Sequence, residues 1–179
     1  MGKLSEIYEK NVALIDGTLR VDESFDMLRK KLVVADGELT MYYIDGFVKD
    51  AVMQKLMMNF SSKKSLSDGC DGSAKGFMES AVPYVETDVT KDLDLMITFV
   101  LSGATLMLGS TFGDEAILID SRTYPARETD EPESDKVVRG PKDGFVETLI
   151  FNTALIRRRI RSTSLRMNYL SVGEKSKTD

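Results

Sequence analysis

Four arginines within five positions, Arg157-Arg158-Arg159-Ile160-Arg161, are the densest concentration of one chemistry in this 179-residue chain. A guanidinium carries five donors in a planar fork, which suits carboxylates, phosphates and backbone carbonyls. Acids lie near in sequence, at Asp143, Glu147 and along the run from Glu128 to Lys136. Cations at the end of a helix also favour its negative pole, and this accounts for part of the cluster. On a helical wheel Arg157 and Arg161 flank one edge of an apolar face, with Arg159 and Asn152 on the other. Tethering of neighbouring segments is the first reading. Attraction to anionic lipid headgroups is the second, worth about 1 kcal/mol per basic residue near the surface. Nucleic acid comes third and is not expected, since no aromatic platform accompanies the basic residues.

Catalytic chemistry has no comparable support. The chain contains no histidine, which removes the commonest general base and metal ligand. A single cysteine, Cys70, excludes an internal disulfide and fits a reducing compartment. The acidic pairs Asp92/Asp94 and Asp114/Glu115 have spacings that aim side chains apart on a regular element. Gly69 to Gly76 lacks the Gly-Lys-Ser/Thr ending of a phosphate loop. No zinc or EF-hand pattern occurs. No enzyme, cofactor or metal is therefore expected.

Composition agrees with a globular chain, 42% hydrophobic and 30% charged, with a pI near 5.0. Charge is unevenly placed: residues 1–138 carry a net −10 and residues 139–179 a net +5. The two parts face different partners, or each other. Met1 to Glu6 lacks the features of a signal peptide. The longest apolar run, Leu95 to Leu108, is shorter than the roughly 20 residues that cross a bilayer.

The periodicity predicts the elements that must position these residues. Leu4 to Leu14 reads as a helix, and Asp26 to Val34 and Leu39 to Ile44 as strands around Ala35-Asp36-Gly37. Phe47 to Asn59 reads as a helix, Ser61 to Gly76 as a loop, and Val89 to Leu101 as a helix capped by Thr90. Ala104 to Leu108 and Glu115 to Asp120 form a second strand pair. An exposed acidic linker follows at residues 128–136, dividing 1–127 from 137–179. Beyond it Phe145 to Ile160 is a helix with apolar side chains on two faces, and Leu165 to Val172 a strand. The predicted fold is α/β, mixed α+β: two small subdomains with mixed sheets flanked by helices. A weak echo of the Asp26–Gly37 pattern in Ser164–Gly173 would leave the second unit incomplete at Asp179.

Ahead of the arginines stands Val137-Val-Arg-Gly-Pro-Lys-Asp-Gly-Phe-Val-Glu147. Gly140 and Gly144 bracket Pro141 and permit a tight turn. Asp143 is placed to cap the helix, Glu147 lies in its predicted first turn, and Arg139 can pair with either carboxylate. A linker-to-helix junction is a sufficient account of this motif, and it is compatible with a coupling role.

This run, with Phe145-Val-Glu-Thr-Leu-Ile-Phe-Asn-Thr-Ala-Leu-Ile-Arg-Arg-Arg-Ile160, resembles the A-subunit family of GerA-type spore germinant receptors. Tyr124-Pro-Ala-Arg127, Glu131-Pro132 and Tyr43-Ile-Asp-Gly-Phe47 fit the same family, and the wording of Phe145 to Ile160 with the closing Gly173 to Asp179 is similar to its stage V sporulation protein AF branch. Lys142 departs from it, standing where relatives often have arginine.

The resemblance implies a large cytosolic N-terminal region of two α/β subdomains joined by a linker, followed by membrane helices in the spore inner membrane. It also implies oligomeric cation channels built with partner subunits, the germinant being held by the membrane part, and amplified ion release in the AF branch. Taken together, the expected role is subunit assembly and coupling to a membrane channel through segments beyond residue 179. The expected motif is Arg139, Gly140, Asp143, Gly144, Phe145, Glu147, Asn152, Arg157, Arg158 and Arg159. A small-molecule sensor binding between the subdomains is the alternative.

Overall fold

The strands are legible because their side chains alternate, and the computed structural model shows where each set goes. It describes residues 2–34, 36–84, 86–122 and 144–175. Strands β1 (Met27–Val34), β2 (Gly37–Ile44), β3 (Thr87–Thr90), β4 (Thr105–Gly109) and β5 (Ala116–Ile119) form one sheet. Their order is β1-β2-β4-β5-β3. Every described pairing is antiparallel, with Met27 opposite Ile44, Leu39 opposite Gly109 and Leu106 opposite Leu118. The expected mixed sheets are thus replaced by an antiparallel one in an α+β fold. Hairpins join β1 to β2 and β4 to β5, too short for the crossover a parallel pair needs, while β2–β4 and β3–β5 are antiparallel across longer connections.

Parity divides the core in two. Tyr42, Ile44, Leu106, Leu108, Ala116 and Leu118 pack with helices α1 (Tyr8–Leu19) and α4 (Leu93–Leu101). Leu39, Met41, Met107, Ile117 and Ile119 face the other way, onto α2 (Asp50–Ser61) and α3 (Ala74–Ala81). The sheet is covered on both sides, so β4 and β5 are buried along their whole length and read as unbroken apolar runs. β1 is an edge strand, and Arg29, Lys30 and Lys31 stand exposed at its middle, where charge deters edge-to-edge pairing.

Several boundaries shift for local reasons. Helix α1 runs from Tyr8 to Leu19, later than the spacing predicts, and closes where Arg20 turns left-handed at φ 54°. Within the expected loop Ser61–Gly76, Ser73 Oγ accepts the Gly76 amide at 3.0 Å and starts α3, an element the sequence reading omits. Residues 87–90 form β3, and Asp92 rather than Thr90 caps α4, accepting the amides of Asp94 and Leu95 at 2.9 and 3.3 Å. Thr90 Oγ1 instead accepts the Asp92 amide at 3.1 Å. Phe47 stays out of α2 because its ring is fully buried against Gly103.

Candidate functional site, the docking junction of the last helix

The helix carrying the arginines, α5 (Leu149–Arg159), starts later than Phe145. Asn152 is the reason. Its Oδ1 accepts the Val146 amide at 2.8 Å and its Nδ2 donates to the Val146 carbonyl at 2.6 Å, so the approach to the helix is held extended. The cap position therefore falls on Thr148, beyond Asp143, and Glu147 precedes the helix instead of lying in its first turn. Gly144, Phe145 and Glu147 are exposed, and Arg139, Gly140 and Asp143 lie outside the described residues, as does the expected linker at 128–136. Residues 165–172 form no strand element; only Val172 makes a single bridge.

Arg157 has gone inward. Its side chain and that of Asp26 are each 1% exposed. Nε donates to Asp26 Oδ2 at 2.9 Å and Nη2 to Oδ1 at 2.8 Å, a bidentate fork across 131 positions of sequence. Nη2 also donates to Ser24 Oγ at 3.2 Å, and Nη1 to the carbonyls of Leu165 and Ser162 at 3.0 and 3.5 Å. All five donors are used, which is what makes burial of the charge tolerable. At Arg157 the partner acid is Asp26, which the sequence reading did not name as a partner. Arg158 and Arg159 lie on the exposed side of the last helical turn. Asp26 has no local signal in the sequence, since nothing about a carboxylate before a strand shows that it is buried.

The second contact is a turn. Asp45 donates its amide to the Asp26 carbonyl at 2.8 Å, and its Oδ1 accepts the Gly46 amide at 2.9 Å. Gly46 has φ +80°, and a Cβ there would meet Ile150 Cγ2 at 2.8 Å and the Ile150 carbonyl at 3.1 Å. Helix α5 is thus laid directly on backbone that only glycine leaves bare. Ala154 beside it joins the apolar cluster of the sheet. Val48 then bridges to Arg122, so this turn also touches the residue at which β5 leads out of the sheet. Arg122 is itself fixed: Nε donates to Asp120 Oδ1 at 2.6 Å, Nη1 to Ser102 Oγ at 3.3 Å, and its guanidinium lies 5.5 Å from the centre of the Phe99 ring. Its hydrogen bonds hold the Asp120 carboxyl below the usual range. Burial raises the Tyr43 hydroxyl, with Asp45 and Asp50 adding to the effect. The run Tyr43–Phe47, noted in the sequence only through its resemblance, is the seat of α5.

Nothing in this junction combines a nucleophile with a base. Among the described residues no group of three or more His, Cys, Asp or Glu side chains could hold a metal ion. The chemistry is mechanical: a buried ion pair and a bare glycine determine where α5 sits.

The profile described as Bacillus/Clostridium GerA spore germination protein matches residues 17–179, most of the chain and both halves of the junction. The chain belongs to the GerA family of spore germination proteins. Within the family, stage V sporulation protein AF of Bacillus subtilis (strain 168) is 37% identical over 172 residues, covering 95% of this chain and 34% of that protein. An uncharacterized membrane protein of the same organism, YfkQ, is 24% identical over 142 residues, covering 76% of this chain and 26% of its own length. This GerA chain therefore spans about a third or less of the curated relatives it matches. Its fold resembles that of the N-terminal domain of the A subunit of the Bacillus megaterium spore germinant receptor GerK3. The TM-score is 0.69 at 16% identity, over 97% of this chain and 62% of that one. Among the described residues, no helix is long and apolar enough to cross a membrane.

Proposed function

We propose that this chain is the cytosolic N-terminal module of a spore inner-membrane germination protein, which assembles with partner subunits and couples to an ion channel formed by segments beyond residue 179. The observation that carries this reading is the family match over residues 17–179 in a chain that spans 34% of its AF relative. The junction supports it. Residues from opposite ends of the chain are locked together by Asp26–Arg157 and Gly46–Ile150, so displacement of one end is felt at the other. Arg158 on the last turn of α5 and Gly144 ahead of the helix are both exposed. No catalytic step is assigned.

The test uses the full-length protein in sporulating cells, with Arg158→Glu and Gly144→Val introduced separately. Each is expected to reduce co-purification of partner subunits, or germination, at least roughly tenfold, since reversing a charge or closing a turn at an interface costs about 1.4 kcal/mol or more. Circular dichroism of the purified 179-residue chain should be unchanged by Arg158→Glu. Wild-type assembly and germination in both variants would overturn the reading.

A further inference from the structure

The segment after α5 is held by very little apolar burial. Ile160, Tyr169, Leu170 and Val172 are exposed, Leu170 at 80%, and of the large apolar side chains there only Met167 is buried. Its placement depends on polar contacts that converge on one residue. Arg157 donates to the carbonyls of Ser162 and Leu165, so the segment curls around the guanidinium. Ser24 Oγ, which accepts from Arg157, also accepts the Met167 amide at 2.8 Å. The Phe25 amide donates to the Met167 carbonyl at 3.1 Å, and the Phe25 and Tyr169 rings meet edge to face at 5.4 Å. Arg166 Nε reaches Glu23 at 2.8 Å, but that pair is half exposed and weak.

We propose that Asp26–Arg157 is an ionic latch: closed, it aligns residues 160–172 beside Glu23–Asp26; open, it releases that segment while the sheet stays folded. The physical basis is an asymmetry. A buried ion pair adds little net stability compared with apolar residues of the same size, but loss of one partner leaves an uncompensated buried charge. Apolar contacts hold a segment over a range of positions, whereas a bidentate fork with five satisfied donors accepts one. The latch is therefore all-or-none. Residues 160–172 belong to the least stable part of the fold, and the two apolar clusters about the sheet do not depend on them. The latch supplies a two-state element for the coupling reading and rests on it only for its biological meaning.

The experiment is amide hydrogen exchange on the purified chain, followed at Leu165 and Met167 in the segment and at Met107 in the sheet. Asp26→Asn and Arg157→Met should each accelerate exchange at Leu165 and Met167 roughly a hundredfold, with Met107 little changed. The double variant Asp26→Leu/Arg157→Met, which fills the site with apolar groups, should recover the melting temperature but not the slow exchange at Met167. It is also decisive if either single variant fails to fold. Recovery of slow exchange in the double variant would reduce the pair to a space-filler and overturn the latch. So would equal acceleration at Met107, or no acceleration at Met167 in the single variants. None of these outcomes depends on a germination assay, so a failed latch and a failed coupling reading are distinguishable.

Discussion

Replacing Gly46 with alanine tests whether α5 is seated on the β2–α2 turn. The residue has φ +80°, which costs an L side chain about 1–2 kcal/mol. The new Cβ would also sit 2.8 Å from Ile150 Cγ2 and 3.1 Å from the Ile150 carbonyl. The carbonyl is helix backbone and cannot rotate away, so α5 must lift, adding about 1–3 kcal/mol of overpacking. Together these give about 2–5 kcal/mol. For a chain of this size each kcal/mol lowers the melting midpoint by about 2–4 °C. Gly69 is the matched control: its φ is +81° and nothing lies within 4 Å of a Cβ there. Gly69→Ala should therefore show the strain alone, about 1–2 kcal/mol. Differential scanning calorimetry of the two variants isolates the contact with the helix. Adding Ile150→Ala to Gly46→Ala should recover part of the excess, a coupling of about 0.5–3 kcal/mol. Equal midpoints for Gly46→Ala and Gly69→Ala would show that α5 does not rest on this turn.

Asn152→Ala removes both hydrogen bonds to the Val146 backbone, at 2.8 and 2.6 Å, and should cost about 1–3 kcal/mol. Exchange of the Val146 amide should accelerate first, and a protected Val146 in the variant would contradict the assignment. Burial, the charge of Asp16 and the hydrogen bond to it at 2.9 Å raise the Tyr42 hydroxyl well above its ordinary 10.0. The folded chain then favours the protonated phenol, so the associated stability is complete below pH 10 and declines as pH rises beyond it. Tyr42→Phe should cost about 1–3 kcal/mol at neutral pH and flatten that alkaline decline in urea titrations. An unchanged slope would show that other groups cause it.

Periodicity in the chain was enough to locate β1, β2, β4 and β5 to within a residue or two, because alternation and apolar runs follow from which faces a strand must bury. The absence of histidine and the single cysteine were legible too, since residue counts need no coordinates. The quoted runs at Tyr43–Phe47 and Phe145–Ile160 carried the family. Short elements were harder. Helix α3 was hidden in a polar stretch whose only signals were Ser73 as a cap and the pair Phe77 and Ala81 one turn apart. The four-residue β3 is defined by its partner β5 and not by its own composition.

The arginine cluster shows where local reasoning stops. Helical spacing placed Arg157 at the edge of an apolar face, and donor chemistry required an acid, but nearby acids were the natural candidates. Which carboxylate a guanidinium meets is settled by the packing of the sheet, which brings Asp26 to α5 across 131 positions. The same packing makes Gly46 the seat of a helix. Alternation, capping and composition are properties of neighbours along the chain, and so the sequence determines them. A buried ion pair between distant segments exists only after the apolar faces have closed, because only then is its charge removed from water.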